Sequence, residues 1–150
     1  MKTIQIGSLN DMAALASELY SQKGSLPSIW LLNGKMGVGK TTFIQMLAKA
    51  SGYQGQVSSP TFGLIHEYRL PDGTCLVHID AYRINQPQEL IDAGWYDYID
   101  TGWICVEWPE QIEDLWKNEN CVKISIEDQQ EGRRLVKIQT EPFRFPLSNN

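Results

Sequence analysis

A glycine-rich segment at residues 34–41 matches the phosphate-binding pattern G-x-x-x-x-G-K-[ST]. An apolar run precedes it at residues 29–32, and a helix-like segment follows. Its glycines let several backbone N–H groups approach polyphosphate oxygens, and a helix that begins there directs its positive dipole at the same oxygens. Lys40 supplies a cation for the terminal phosphates, and the Thr41 hydroxyl can bind Mg²⁺. The expected nucleotide-binding residues are Gly34, Lys35, Met36, Gly37, Val38, Gly39, Lys40, Thr41 and Thr42.

Two apolar strands downstream each end in a carboxylate. Asp80 follows the run 76–79, and a strand packed parallel beside the loop strand would bring this acid near Thr41. Glu107 ends the run 103–106, where its carboxylate can orient or deprotonate a water. The alternatives are a strand-end turn former for Asp80 and a solvated helix cap for Glu107.

Two further polar residues are less specific signals. Thr61 lies in a polar loop from which its hydroxyl can reach Mg²⁺ and sense a γ-phosphate, or it is an ordinary turn threonine. His78 interrupts an apolar strand and is interpreted as a satisfied core or interface residue. The expected catalytic residues are Glu107, Lys40 and Thr61, and the expected magnesium ligands are Thr41, Asp80 and Glu107.

The elements that must position these residues indicate an α/β, single-domain P-loop NTPase, with three layers and a mixed central sheet. Ser8 and Asp11 resemble a capping box for a helix at 11–22. Turn residues 71–74 predict an antiparallel hairpin between strands 62–70 and 75–79, and a second hairpin joins 122–126 to 135–138. The domain is expected to span 1–141, followed by a loosely docked tail at 142–150.

Composition narrows the function classes. The chain has 150 residues and a net charge of −5, which argues against a broad nucleic-acid footprint. Its three cysteines, at wide spacing, are expected to be buried free thiols. No signal peptide or membrane span is predicted, so a cytoplasmic location is the default expectation. Trp95, Tyr96 and Tyr98 follow a short predicted helix at 87–93, and an exposed aromatic patch there would suit a protein partner.

Four segments together resemble one family. The phosphate loop 34–42, S-P-T-F at 59–62, H-x-D-x-Y-R at 78–83 and V-E-W-P-E at 106–110 occur in the order and approximate spacing of the bacterial TsaE ATPases, also called YjeE. These are small P-loop proteins required for the threonylcarbamoyladenosine modification of tRNA. The resemblance covers roughly residues 8 to 116, and the two strand-end motifs, at 78–83 and 106–110, are more specific than the loop.

The resemblance implies roles for matching residues. Lys40, Thr41 and Thr42 resemble the family's nucleotide-binding residues, Asp80 its magnesium-side acid, Thr61 its switch-type threonine and Glu107 the acid needed for ATP hydrolysis. It also implies ATP/ADP and Mg²⁺ as cofactors, and TsaB and TsaD as partner proteins. The resemblance further implies that TsaD transfers the threonylcarbamoyl group and that this chain contacts tRNA only indirectly, through the complex.

Lys35 departs from the family, which usually has Asp or Glu after the first glycine, so any role of that acid does not transfer. Two other functions stay open at this point. One is a small-molecule phosphotransferase, since kinases share this loop, although no Arg-rich segment follows Glu107 as an arginine-bearing lid apart from Arg133 and Arg134. The other is a nucleotide-dependent binding module with almost no turnover.

Overall fold

The computed structural model describes residues 2–55 and 65–141. Its strands are β1 Lys2–Ile6, β2 Ile29–Asn33, β3 Ile65–Arg69, β4 Cys75–Asp80, β5 Trp103–Glu107, β6 Cys121–Asp128 and β7 Arg134–Glu141. Its α-helices are α1 Leu9–Ser21, α2 Lys40–Ala50, α3 Pro87–Asp92 and α4 Trp95–Thr101. Short 3₁₀ helices lie at Lys23–Ser25, Pro109–Leu115 and Gln130–Gly132. Thr61 and the tail 142–150 lie outside the described residues.

The strands form one seven-stranded sheet in the order β1-β7-β6-β2-β5-β4-β3. The four central strands β6, β2, β5 and β4 run parallel, and antiparallel strands complete both edges. The mixed sheet and both predicted hairpins are confirmed over the described residues. The expectation that the strand of Asp80 lies beside the loop strand is wrong, because β5 is inserted between β2 and β4.

Helices cover both faces of the sheet, which confirms the three-layer α/β architecture. On one face α1 and α2 pack against alternate strand residues such as Trp30, Leu32 and Val122. On the other, α3, α4 and the 3₁₀ helix Pro109–Leu115 cover a cluster that includes Leu31 and Val106. Successive strand residues point to opposite faces of the sheet. Because helices cover both faces, the buried central strands are continuous apolar runs in the sequence.

The start of α1 follows the predicted capping chemistry. Ser8 Oγ accepts a hydrogen bond from the Asp11 backbone N–H at 3.1 Å, while Asp11 Oδ2 accepts one from the Gly7 N–H at 2.9 Å. The helix begins at Leu9, two residues before the predicted start. Ser8 therefore satisfies an N–H group that the first turn of the helix cannot.

The prediction of an exposed aromatic patch is wrong for Trp95. Trp95 is 1% exposed and packs edge-on against Trp116, with ring centroids 5.6 Å apart. Tyr96 is 63% exposed, whereas Tyr98 is half-buried and its hydroxyl donates to Glu67 Oε2 at 2.7 Å. Gly94, with φ +112°, is the N-cap of α4, and Trp95 is the first residue of that helix and points inward.

The cysteines are free, as predicted, but differ in burial. Cys105 and Cys121 are buried in the sheet, whereas Cys75, at the start of β4, is half-buried. Among the described residues, no helix is long and apolar enough to cross a membrane.

Candidate functional site

The phosphate loop connects β2 to α2 and is shaped by its glycines. Gly39 is the N-cap of α2 with φ +119°, and no described side chain caps the helix, so its first-turn N–H groups face the loop's concavity. A Cβ on Gly34 would lie 2.7 Å from Val38 Cγ1 and 2.8 Å from the Ile126 carbonyl oxygen. Glycine is therefore required at 34 by close packing and at 39 by conformation.

Lys40, the first residue of α2, is only 4% exposed and is held in two ways. Its Nζ donates to the Gly34 carbonyl oxygen at 2.6 Å and lies 3.5 Å from the centroid of the Trp108 indole ring. Burial lowers the pKa of the Lys40 ammonium, and the negative charges of Glu107, Glu110 and Asp80 oppose that shift. The Lys40 ammonium is therefore shielded from solvent and held beside the phosphate loop.

Glu107 contacts Thr41 directly. The Thr41 hydroxyl donates to Glu107 Oε2 at 2.9 Å, and His78 Nε2 lies 2.6 Å from the same oxygen. The carboxylate is buried, so the solvated helix cap considered for it does not apply. Because β5 neighbours β2, Glu107 is the strand-end acid that reaches the helix of the phosphate loop.

Asp80 lies one strand farther from the loop but lines the same cleft. In the parallel register it is paired with Glu107, so both carboxylates leave their strands at the same edge. Asp80 Oδ1 accepts the Tyr82 backbone N–H at 3.0 Å. Asp80 therefore both accepts the hydrogen bond of the turn after β4 and lines the cleft.

Two adjoining cavities follow the loop. The first, the cleft, has a volume of about 360 Å³ and is lined by Met36, Gly37, Gly39, Lys40, Thr41, Thr42, Asp80, Glu107 and Trp108. The second, the side cavity, has a volume of about 240 Å³ and is lined by Ile6, Ser8, Leu9, Met12, Gly37, Val38, Gly39, Thr42, Gly132 and Arg134. They share Gly37, Gly39 and Thr42, so a ligand on the loop can extend into both.

Four predicted site residues are not brought to the cleft or are not described. Val38 is buried and lines the side cavity instead of the cleft. Gly34 lies behind the loop as a packing residue. Lys35 is 78% exposed at its side chain and lies 3.8 Å from Asp128 Oδ2, a surface pair that leaves its charge in solvent. Thr61 lies outside the described residues, so its switch role remains a prediction.

The sequence interpretation missed three supporting residues. Arg134 Nε donates to the Val38 carbonyl oxygen at 2.9 Å and so braces the phosphate loop from β7. Trp108 has φ +59°, an unusual conformation for a non-glycine residue, and its ring covers Lys40. His78 contacts Glu107. Of these three residues, only Trp108 and His78 could have been found from the sequence, because both lie in the strand-end motifs.

The oxygen donors at the cleft suit magnesium. Mg²⁺ prefers oxygen ligands and is usually held by one or two carboxylates together with substrate phosphates. Thr41, Asp80 and Glu107 offer a hydroxyl and two carboxylates along one cleft. Within residues 2–55 and 65–141, no group of three or more His, Cys, Asp or Glu could hold a metal by itself.

Sequence comparisons identify relatives over most of the chain. A family model described as "Threonylcarbamoyl adenosine biosynthesis protein TsaE" matches residues 6–136. The tRNA threonylcarbamoyladenosine biosynthesis protein TsaE of Haemophilus influenzae is 43% identical over 104 residues, which cover 69% of this chain and 63% of that protein. The TsaE protein of Rickettsia typhi is 32% identical over 130 residues, or 86% of this chain and 89% of that one. That of Aquifex aeolicus is 35% identical, covering 92% and 96%.

A structural comparison agrees on the fold. The crystal structure of Bacillus subtilis YdiB superposes with a TM-score of 0.68, covering 93% of this chain and 84% of that one at 23% sequence identity. The family assignment rests on the sequence matches, which extend through the phosphate loop, both strand-end acids and the hairpin containing Arg134. The chain therefore belongs to the TsaE family, whose members function in the biosynthesis of threonylcarbamoyladenosine in tRNA.

Proposed function

We propose that this protein binds ATP with Mg²⁺ in the cleft and hydrolyses it slowly, as an accessory subunit for the threonylcarbamoyladenosine modification of tRNA. Its partners in this proposal are TsaB and TsaD, and tRNA is engaged only through their complex. The net charge of −5 supports indirect contact, because a direct tRNA-binding surface normally carries a basic excess. The names of the Haemophilus and Rickettsia relatives support the pathway.

The observation that carries the hydrolytic part is the hydrogen bond between Thr41 and Glu107. It joins the helix that receives the phosphates to a buried carboxylate from a different strand, at a distance of 2.9 Å. Burying a carboxylate is costly unless it is paired, and the contacts of Glu107 with Thr41 and His78 hold this acid beside the phosphate loop, where it can act on a water. The same cleft contains the Lys40 ammonium.

Each residue then has a defined task. Lys40 neutralises charge on the terminal phosphates, and the α2 N-terminus provides backbone donors. Thr41 and Asp80 hold magnesium, which when bound neutralises the charge that develops on the phosphate oxygens. Glu107 orients the attacking water and accepts its proton, and a direct contact between Glu107 and the metal is also part of the proposal. Thr61 is proposed to sense the γ-phosphate.

The side cavity is proposed to receive the nucleoside. It adjoins the phosphate cleft, and apolar side chains of Leu9, Met12 and Val38 line one side. Leu9 is largely exposed for an apolar residue, as expected of a surface that a flat base would cover. Ser8 and the turn before β7 supply polar groups at its rim.

Nucleotide titration with single-turnover phosphate release tests the ATPase. We expect the isolated protein to bind ATP and to release phosphate slowly. Glu107→Gln should bind ATP normally and lose about 100-fold or more in rate, the lower range for loss of a general base. Glu110→Gln is the matched control, since Glu110 is exposed but also acts electrostatically on Lys40. A normal rate for Glu107→Gln would exclude the proposed base.

Co-purification tests the partner assignment. The tagged protein should retain TsaB and TsaD in the presence of ATP, and its phosphate release should rise when both are added. Failure to bind either protein in any nucleotide state would contradict the accessory role. ATP-dependent phosphorylation of a metabolite without them would instead indicate a kinase.

A further inference from the structure

His78 is a buried polar residue that the proposed chemistry does not use. It lies in β4, two residues before Asp80, and its side chain is completely buried. The parallel register aligns it with Cys105, so its ring projects from the same face of the sheet as Glu107. From there Nε2 reaches Glu107 Oε2 at 2.6 Å. A polar ring in an apolar strand is thus directed at one specific atom.

The chemistry of the contact assigns the proton on the ring. An ionised carboxylate only accepts hydrogen bonds, so Nε2 carries the hydrogen and donates it. Nδ1 is buried and has no hydrogen-bond partner within the described part of the chain. The neutral Nε2–H tautomer leaves no buried donor unsatisfied, because the unpaired Nδ1 then presents only a lone pair.

Both donors to Glu107 end on the same oxygen. Thr41 Oγ1 and His78 Nε2 each bond to Oε2, and no donor from residues 2–55 or 65–141 reaches Oε1. Glu107 lines the cleft, so Oε1 is the oxygen left for a water or for magnesium. Two donors from different elements, one on α2 and one on β4, fix the carboxylate plane more firmly than either alone.

We propose that His78 is a positioning residue for Glu107, holding Oε2 so that Oε1 points into the cleft. The proposal rests on the proposed hydrolytic role of Glu107. A hydrogen bond of this kind orients a catalytic group without touching the substrate, and losing such a support typically costs about 10- to 100-fold in activity. ATP affinity should change little, because His78 does not line the cleft.

Two substitutions separate the hydrogen bond from the volume of the ring. In His78→Gln the longer side chain can bring an amide donor to the position of Nε2, whereas in H78N the shorter side chain ends near the position of Nδ1 and cannot reach Glu107. We expect H78N to keep the ATP dissociation constant within about threefold and to slow single-turnover phosphate release by about 10- to 100-fold. His78→Gln should restore much of the rate.

The matched control is His66→Asn. His66 pairs with His78 across the antiparallel β3–β4 ladder, but its Nδ1 lies 3.3 Å from the Tyr68 hydroxyl and not at Glu107. It should leave both rate and affinity unchanged. In a Glu107→Gln background H78N should cost no further rate, because the residue that it positions is already disabled. Equal costs in both backgrounds would overturn the proposal.

Nitrogen NMR of the imidazole rings tests the contact without any nucleotide. In the wild type we expect the His78 hydrogen on Nε2, and the Nε2 signal should shift when Glu107 is replaced by Ala. A hydrogen on Nδ1, or an unchanged spectrum in Glu107→Ala, would overturn the contact. This NMR measurement remains informative if H78N folds poorly, because it observes the His78 ring of the wild-type residue.

The outcomes distinguish the two proposals. If Glu107→Gln abolishes hydrolysis while H78N and His78→Gln both hydrolyse at the wild-type rate, the positioning role is wrong and the proposed function stands. If the wild type and Glu107→Gln release phosphate equally, the role of Glu107 as the base fails and the positioning role of His78 fails with it, whatever the NMR result for His78. If the wild type releases no phosphate, the proposed ATPase fails.

Discussion

The ammonium of Lys40 rests on the face of the Trp108 indole, 3.5 Å from its ring centroid. This cation–π contact joins the start of α2 to the residue that follows β5. Trp108 adopts a left-handed backbone conformation at this position. Neither the end of a β-strand nor the following Pro109 requires that conformation. Trp108 and the Gly34 carbonyl oxygen therefore hold a desolvated cation beside the cleft before any phosphate arrives.

Removing this cation should strongly weaken nucleotide binding. In Lys40→Ala no other ammonium from the described residues lines the cleft, so we expect ATP affinity to fall by about 100-fold or more, the cost of losing a desolvated charge-assisted contact. Lys35→Ala is the matched control, because it removes a lysine from the same loop whose charge lies in solvent. Titration calorimetry with ATP measures both. Equal losses would show that the net charge of the loop matters more than the place of Lys40.

A methyl group at Gly34 should disturb the loop. Its Cβ would meet the Ile126 carbonyl oxygen at 2.8 Å, and β6 cannot shift without breaking its pairing with β2. We expect Gly34→Ala to lower the free energy of unfolding by about 1–3 kcal/mol and to weaken ATP binding. At Gly24 no atom of the described residues lies within 4 Å of the new methyl group, so Gly24→Ala should be neutral or slightly stabilising. Urea unfolding compares them, and equal stability of the two variants would contradict the clash.

The parts of the site that depend on local patterns are predictable from the sequence. The phosphate loop needs glycines and a following helix, and strand ends are visible where apolar runs stop at Asp80 and Glu107. Strand order is not local. Whether β4 or β5 lies beside β2 depends on how both crossovers pack, so sequence reasoning places the wrong acid next to Thr41.

His78 and Trp95 show a second limit of sequence interpretation. A histidine in an apolar strand has the same pattern whether its partner is a solvent molecule, a backbone carbonyl or a catalytic carboxylate, and the partner here lies 29 residues away. The sequence indicates a surface position for Trp95 because Gly94 and acidic neighbours suggest a loop. Its burial becomes visible only once its ring is packed against Trp116, which follows the 3₁₀ helix Pro109–Leu115.

The proposed nucleoside cavity can be tested apart from the phosphate cleft. Leu9→Ser removes apolar surface from the side cavity, so ATP affinity should fall by about 3- to 10-fold, the range for losing one partly buried aliphatic contact. The affinity for inorganic tripolyphosphate should not change, because that ligand has no base. Asn10→Ala, at the exposed neighbouring position, is the control. Equal weakening of both ligands would show that Leu9 acts through the phosphate loop.

Acid sensitivity should concentrate at Asp72, in the turn between β3 and β4. Hydrogen bonds from the Thr74 hydroxyl and backbone N–H, at 2.6 and 2.8 Å, lower the pKa of this carboxyl to about 2, with smaller help from Tyr20 and Lys23. The folded pKa lies below the ordinary value of 3.8, so the stabilisation is fully present above about pH 4. It is lost as the pH falls from there toward 2.

Asp72→Asn should therefore destabilise the protein at pH 6 and matter progressively less in acid. We expect a loss of about 1 kcal/mol at pH 6, since these hydrogen bonds to a charged group are partly exposed. Urea unfolding of the wild type and the variant at pH 6, 4 and about 2.5 gives the difference at each pH. Asp114→Asn, which removes only an exposed ion pair with Lys117, should be near neutral throughout. A difference for Asp72→Asn that stays constant down to the lowest pH would show that the turn is stabilised by shape and not by the ionised carboxylate.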